Sequence, residues 1–160
     1  SADNYLSQFV MHDHGVYLEG GNMANAIDAQ NIACDQFFMQ ANGIKLMSGR
    51  DFMPGDSGKV LINQTLAKRL NLTDRSAIGA KLYSKYGNGP AQYVTVAGIM
   101  KDFNYNSLHS DVKPFMLVFS NNPQDFSNMV VSTNSKNYKN LLGQIEAIWK
   151  KNLPSVPVTY

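Results

Sequence analysis

Among the residue types that could do chemistry, the only pair with metal spacing is His12 and His14, separated by Asp13. Alternate residues of a strand share a face, so both imidazoles could reach one ion. Two ligands make a weak site, and a third would have to come from afar, from His109 or Glu19. The competing reading is two exposed histidines flanking a loop acid, since so short a motif often arises by chance. Cys34 is the only cysteine, which excludes an internal disulfide, a CxxC redox pair and a thiolate zinc site. Within Ile32-Ala33-Cys34 it reads as a small buried hydrophobe. Neither GxGxxG nor GxxxxGK[ST] occurs, and Gly20-Gly21 and Gly87-Asn88-Gly89 read as turns without the strand-to-helix setting of a phosphate cradle. No GxSxG elbow is found. Asp51, Asp56, Asp102 and Asp111 fall at loops or element ends, where Asp ordinarily bonds local backbone. Asn63-Gln64-Thr65 and Asn71-Leu72-Thr73 match a glycosylation acceptor, but Asn63 is better placed as a helix cap. Tyr83, Tyr86, Tyr105 and Tyr160 could form a stacking surface, although core or rim packing is the better explanation. No catalytic residue, metal or cofactor is assigned on these grounds.

The chain that must position these groups has 160 residues, about one domain's worth. Hydrophobic residues make up 44% and charged ones 16%, enough apolar material to build a core and too few charges for a disordered chain. A net charge of +2 is too small to be a nucleic-acid footprint. The longest wholly apolar run, Phe115-Met116-Leu117-Val118-Phe119, is far short of the roughly 20 residues of a membrane helix. No charged-then-apolar leader is visible. The strand-like Val-Thr-Tyr ending, without a polar tail, suggests a piece cut from a longer protein.

Periodicity and turn chemistry predict the elements. Phe9–Leu18 reads as a weak strand and Ile27–Cys34 as a better one. Asp35 is placed to cap a short helix whose apolar stripe is Phe37, Phe38 and Ala41, with Asn42-Gly43 as its left-handed stop. Lys59–Asn63 reads as a strand, and Asn63 as cap of a helix over 64–70 that buries Leu66, Ala67 and Leu70. Tyr93–Met100 is the strongest strand, with Gly98 marking a bulge or close backbone approach. Lys81–Tyr86 pairs with it as a hairpin. Phe115–Phe119 and Met129–Thr133 are expected as a second strand pair. Tyr138–Asn152 is the strongest helix, with Leu141, Leu142, Ile145, Ile148 and Trp149 in one stripe. Val156–Tyr160 reads as a closing strand after Pro154. Strands and helices mix without regular alternation, so the fold class is α+β.

A string of local motifs runs through this order. It comprises Asp35-Gln36-Phe37-Phe38, Gly43-Ile44-Lys45-Leu46, Gly49-Arg50-Asp51-Phe52, Val60-Leu61-Ile62-Asn63-Gln64 and Ala77-Ile78-Gly79-Ala80-Lys81-Leu82. Val96-Ala97-Gly98-Ile99-Met100-Lys101-Asp102-Phe103, Asn106-Ser107-Leu108-His109 and Lys113-Pro114 complete it. Together they resemble the MacB-like extracytoplasmic (periplasmic) core domain of FtsX-type ABC-transporter permeases, over Ile27 to Tyr160. The histidine pair lies outside the resemblance. The motifs also carry structural roles. Gly43 and Gly79 close turns in the left-handed region, and Arg50 with Asp51 ties down a loop through a bidentate bond.

The resemblance implies two lobes, a porter-like lobe from 1–41 and 114–160 and an inserted sabre-like lobe from 42–113. It implies a cell-membrane protein with this domain outside the cytoplasm, between membrane helices absent from this chain. A cytoplasmic nucleotide-binding ATPase subunit would drive its motion, with a membrane-fusion protein or lipoprotein as further partner, and homodimers or heterodimers in the full-length permease. It brings no catalytic residue and no nucleic acid. The leading expectation is thus a non-catalytic domain that transmits motion and contacts cargo or an accessory protein. The alternatives are a metal-dependent enzyme using His12 and His14, and a free-standing carbohydrate- or peptide-binding domain.

Overall fold

The computed structural model describes residues 1–2, 12–85, 89–103, 111–134 and 136–158. Its strands are β1 (His12–Leu18), β2 (Ile27–Cys34), β3 (Leu46–Gly49), β4 (Lys59–Asn63), β5 (Lys81–Ser84), β6 (Gln92–Met100) and β7 (Phe115–Phe119). Its helices are α1 (Phe38–Ala41), α2 (Gln64–Arg69), α3 (Asp74–Ala77) and α4 (Tyr138–Asn152).

All seven strands join one sheet in the order β3-β6-β4-β7-β2-β1-β5. Because β5 pairs with β6 as well as with β1, six of them close into a ring. Strand β3 occupies the remaining length of the same β6 edge, pairing there from Gly98 to Met100. Pairs β2–β7 and β4–β6 are parallel and the others antiparallel. Closure leaves few strand edges open to other chains.

The ring has two apolar faces. Val16, Ala29, Val60, Ile62, Leu82, Val96, Ile99 and Met116, one or two from each of the six strands, form the inner cluster with Leu66, Ala67 and Leu70 around α2. The outer cluster joins Ile32, Cys34, Leu61, Met100, Phe115, Leu117 and Phe119 to Phe38 and Met39 of α1 and to Phe52. Strands β4 and β7 are therefore buried on both sides, which is why they read as unbroken apolar runs.

Strands β4 and β6, within 42–113, lie beside β7, β5 and, through them, β1 and β2. The segments expected as separate lobes contribute neighbouring strands to one sheet.

The Ile27–Cys34 and Phe115–Phe119 strands appear with the expected bounds. Four local expectations are corrected. Met129–Thr133 forms no strand; a single bridge joins Asn128 to Ala2. In α1 the buried residues are Phe38 and Met39, while Phe37 is exposed, because the helix begins only at Phe38. Asp35 instead accepts from the Phe37 amide in the preceding turn, at 3.0 Å. Residues 156–158 take no strand conformation, and 159–160 lie outside the described residues, as do 9–11 of the first expected strand.

Gly98 behaves as expected. A bulge between Val60 and Leu61 shifts the β4–β6 register beside it. A Cβ there would lie 2.8 Å from the Arg50 carbonyl oxygen and 3.0 Å from that of Ser48. Its opposite number, Gly49, has φ of 77°, so two glycines let the β3 and β6 backbones meet.

Candidate contact surfaces

The buried polar groups organise backbone. Asn63 is 1% exposed and stands at the junction of β4 and α2. Its Oδ1 accepts from the Leu66 amide at 2.9 Å and from the Phe115 amide at 3.0 Å, and its Nδ2 donates to the Lys113 carbonyl at 2.9 Å. It caps a helix and fastens β7 to β4 with one amide. Asp102 works nearby: its carboxylate accepts from the Thr65 amide and hydroxyl, while the Gln64 side chain accepts from the Asp102 amide.

Arg50 grips Asp56 with two parallel hydrogen bonds, 2.6 and 2.8 Å long. The sequence had suggested Asp51 as the carboxylate of this clamp. Asp51 accepts from the Phe52 amide instead, because its side chain turns back along its own peptide. The Arg50 hydrogen bonds hold the Asp56 carboxyl down at about 2. Burial pushes the Asp51 carboxyl up, against the opposing pull of the Phe52 amide.

His14 pairs with Ala29 across β1–β2 and is half-buried on the side of β1 that carries Val16. His12 pairs with Asn31 in the backbone ladder, and His109 lies outside the described residues. Glu19 is in the turn after β1, five residues beyond His14, or about 16 Å along an extended chain. It accepts from the Tyr83 hydroxyl at 3.5 Å, away from His14. No group of three His, Cys, Asp or Glu able to hold a metal occurs among the described residues.

Two surfaces stand out. On the outside of the ring, Tyr17, Tyr83 and Tyr93 face one another across β1, β5 and β6. The Tyr17 and Tyr83 rings stack at 6.0 Å, the Tyr83 and Tyr93 rings tilt at 5.5 Å, and the Lys81 ammonium sits 4.7 Å over Tyr93. Sequence reading found only Tyr83 of this row, because the cross-strand register that aligns Tyr17 and Tyr93 with it is not a local property. Tyr86, Tyr105 and Tyr160 lie outside the described residues.

The second surface is a groove of about 580 Å³ beneath α4. Met129, Val131 and Thr133 line one wall; Leu141, Leu142, Ile145 and Trp149 line the other. Asn137 caps the helix by accepting from the Asn140 amide. The Trp149 indole donates to the Val156 carbonyl at 2.8 Å, folding 153–158 back against α4. The expected apolar stripe exists, but no residue of α4 is fully buried and Ile148 is 64% exposed. No helix among the described residues is long and apolar enough to cross a membrane.

This architecture recurs in solved structures. A domain of a protein designated a permease, from Porphyromonas gingivalis, superposes with a TM-score of 0.64 at 16% identity, covering 88% of this chain and 66% of its own. The periplasmic region of MacB from Actinobacillus actinomycetemcomitans gives 0.57 at 11% identity, covering 89% and 64%. The fold is that of extracytoplasmic permease domains. The extracellular domain of the noncanonic ABC-type transporter YknZ, from Gram-positive bacteria, gives 0.58 at 15% identity, covering 89% and 72%. The chain spans about two thirds of the length of these permease domains. No family model and no curated protein sequence matches it.

Proposed function

We propose that this chain is a non-catalytic extracytoplasmic domain of an ABC-transporter permease in the cell membrane. The observation that carries the reading is the shared fold, over nearly nine tenths of the chain, with a domain of a permease protein, the periplasmic region of MacB and the extracellular domain of an ABC-type transporter. In this reading membrane helices flank the domain, and a nucleotide-binding ATPase subunit acts on the cytoplasmic side. ATP-driven motion reaches the domain through those helices, in a homodimeric or heterodimeric permease. The 42–113 segment is the inserted lobe, stitched to 1–41 and 114–160 through the β4–β7 and β1–β5 pairs. The tyrosine row and the α4 groove are the faces offered to cargo or to a membrane-fusion or lipoprotein partner. The polar clusters suit such a role, since Asn63 holds backbone alone, while Asp102 and Asp56 divide their hydrogen bonds between backbone amides and the Thr65 and Arg50 side chains.

Membrane topology tests this directly. Cys34 is completely buried and should not react with a thiol reagent, so a Lys68→Cys variant of the full-length protein carries one exposed thiol in this domain. With the cytoplasmic membrane intact, an impermeant maleimide should label Lys68→Cys to the same extent as after lysis. Labelling that appears only after lysis would place the domain in the cytoplasm and end the proposal.

A further inference from the structure

The inside of the strand ring is packed differently at its two ends. Strand β6 runs from Gln92 at one end to Met100 at the other, where Met100 pairs with Asn63, the cap of α2. At the α2 end, Leu66, Ala67 and Leu70 pack with Val60, Ile62 and Ile99. The end away from α2 holds a cavity of about 120 Å³ instead. Its walls are Val16, Leu82, Val94, Met116 and Val118, all on the inner face of the ring. Among the described residues, no helix contributes to this lining.

Polar groups stand at the rim. Ser84 pairs with Gln92 on the last rung of the β5–β6 ladder, two positions beyond Leu82 and Val94 and so on the same face. Ser84 is half-buried and Gln92 exposed, and neither side chain has a hydrogen-bond partner among the described residues. Asn31, 8% exposed, adds an amide from β2. No Asp, Glu, Lys or Arg among the described residues lines the cavity. A charged ligand would therefore be buried there without a charged partner, at a high cost.

Size and polarity narrow the class of ligand. The space equals about four waters at roughly 30 Å³ each, and apolar walls leave such waters short of partners. Their displacement by an apolar group is favourable. An apolar cavity of about 150 Å³ admits benzene, so the space here suits one small ring. Barrel mouths are a recurrent place for sites of this kind. We propose that the end of the ring away from α2 binds one small, uncharged ring compound, apolar over most of its surface, whose single hydroxyl is held by Ser84. The site rests on the geometry of the ring alone, and the permease reading has no part in it.

The test titrates the 160-residue chain with phenol and follows its methyl resonances by NMR. Saturable shifts, with one phenol per chain, should appear at Val16, Leu82, Val94, Met116 and Val118. Benzoate, similar in shape but ionised at neutral pH, should move none of them. Val94→Phe fills the cavity and should weaken phenol binding by at least about 10-fold, the scale of a misfit in an apolar pocket. Ser84→Ala needs no repacking; it should retain benzene and lose the preference for phenol over benzene. Unmoved methyls, shifts confined to Leu141, Leu142 and Ile145 of the α4 groove, or equal shifts with benzoate would overturn the proposal. So would an unchanged preference in Ser84→Ala.

Discussion

Replacing Asn63 by Ala should destabilise the domain by about 3 kcal/mol, from the loss of a helix cap and the stranding of buried polar groups. The side chain is 1% exposed, so water cannot readily take its place. The Leu66 and Phe115 amides would lose their shared acceptor and the Lys113 carbonyl its donor. The damage would spread across the β4–β7 seam because Phe115 begins the central strand β7. Urea denaturation should show a lower midpoint with an unchanged slope, the pattern of a stability change within a two-state transition. Asn63→Asp should be milder at pH 4 than at pH 7. The protonated acid can still accept from the two amides and donate to the Lys113 carbonyl, whereas the ionised form buries a charge facing that carbonyl. A loss under about 0.5 kcal/mol for Asn63→Ala would mean that the seam is held by packing alone.

Acid should weaken the Arg50–Asp56 clamp in a defined window. The folded Asp56 carboxyl sits at about 2, below the roughly 3.9 of an unfolded Asp. A depressed carboxyl contributes stability that is complete above the unfolded value and lost as pH falls through the folded one. The clamp's share should thus disappear between about pH 5 and pH 2. The Arg50 side chain is 46% exposed, so solvent screening reduces that share to about 1–2 kcal/mol. Asp51 has the opposite sign: burial raises its carboxyl, so its ionisation costs stability and acid relieves the cost. Comparison with Asp56→Asn isolates the clamp, since Asp51 is common to both proteins. The parent should lose about 1–2 kcal/mol more than Asp56→Asn between pH 5 and pH 2. Parallel stability curves would show the clamp to be energetically silent. Asp56 also accepts from the Met53 amide at 2.8 Å, so Asp56→Ala should be worse than Asp56→Asn at every pH.

How far the sequence disclosed this molecule depended on the range of each interaction. Strands β2, β4 and β7 and helix α2 were visible because apolar runs, the Asn63 cap and the Leu66–Leu70 stripe are local signals. Gly98 was visible because a glycine interrupting a strong strand marks a bulge or a close backbone approach. The ring was not, since it depends on β5 finding β1 sixty-odd positions away through Tyr17–Tyr83 and Leu18–Leu82. Arg50 was matched to the wrong aspartate for a related reason. Gly55 and Gly58, both at positive φ, curl the loop so that Asp56 meets the guanidinium while Asp51 faces its own backbone. Met129–Thr133 had strand composition but forms no strand, and composition cannot show whether a ladder will form. Of the contact surfaces, the α4 stripe was legible and its exposure was not, because a periodic apolar face announces burial without naming what covers it. The tyrosine row needed the register of three strands.

In the function proposed above, the domain moves with ATP hydrolysis instead of performing chemistry. Electron-paramagnetic distance measurements on the full-length protein with the proposed ATPase subunit address it, using a spin label at Lys139→Cys on the exposed side of α4 in each of the two domains that the proposal pairs. One distance distribution is expected without nucleotide and a displaced one with trapped ATP, returning after hydrolysis. Superimposable distributions in a complex that is hydrolysing ATP would contradict it.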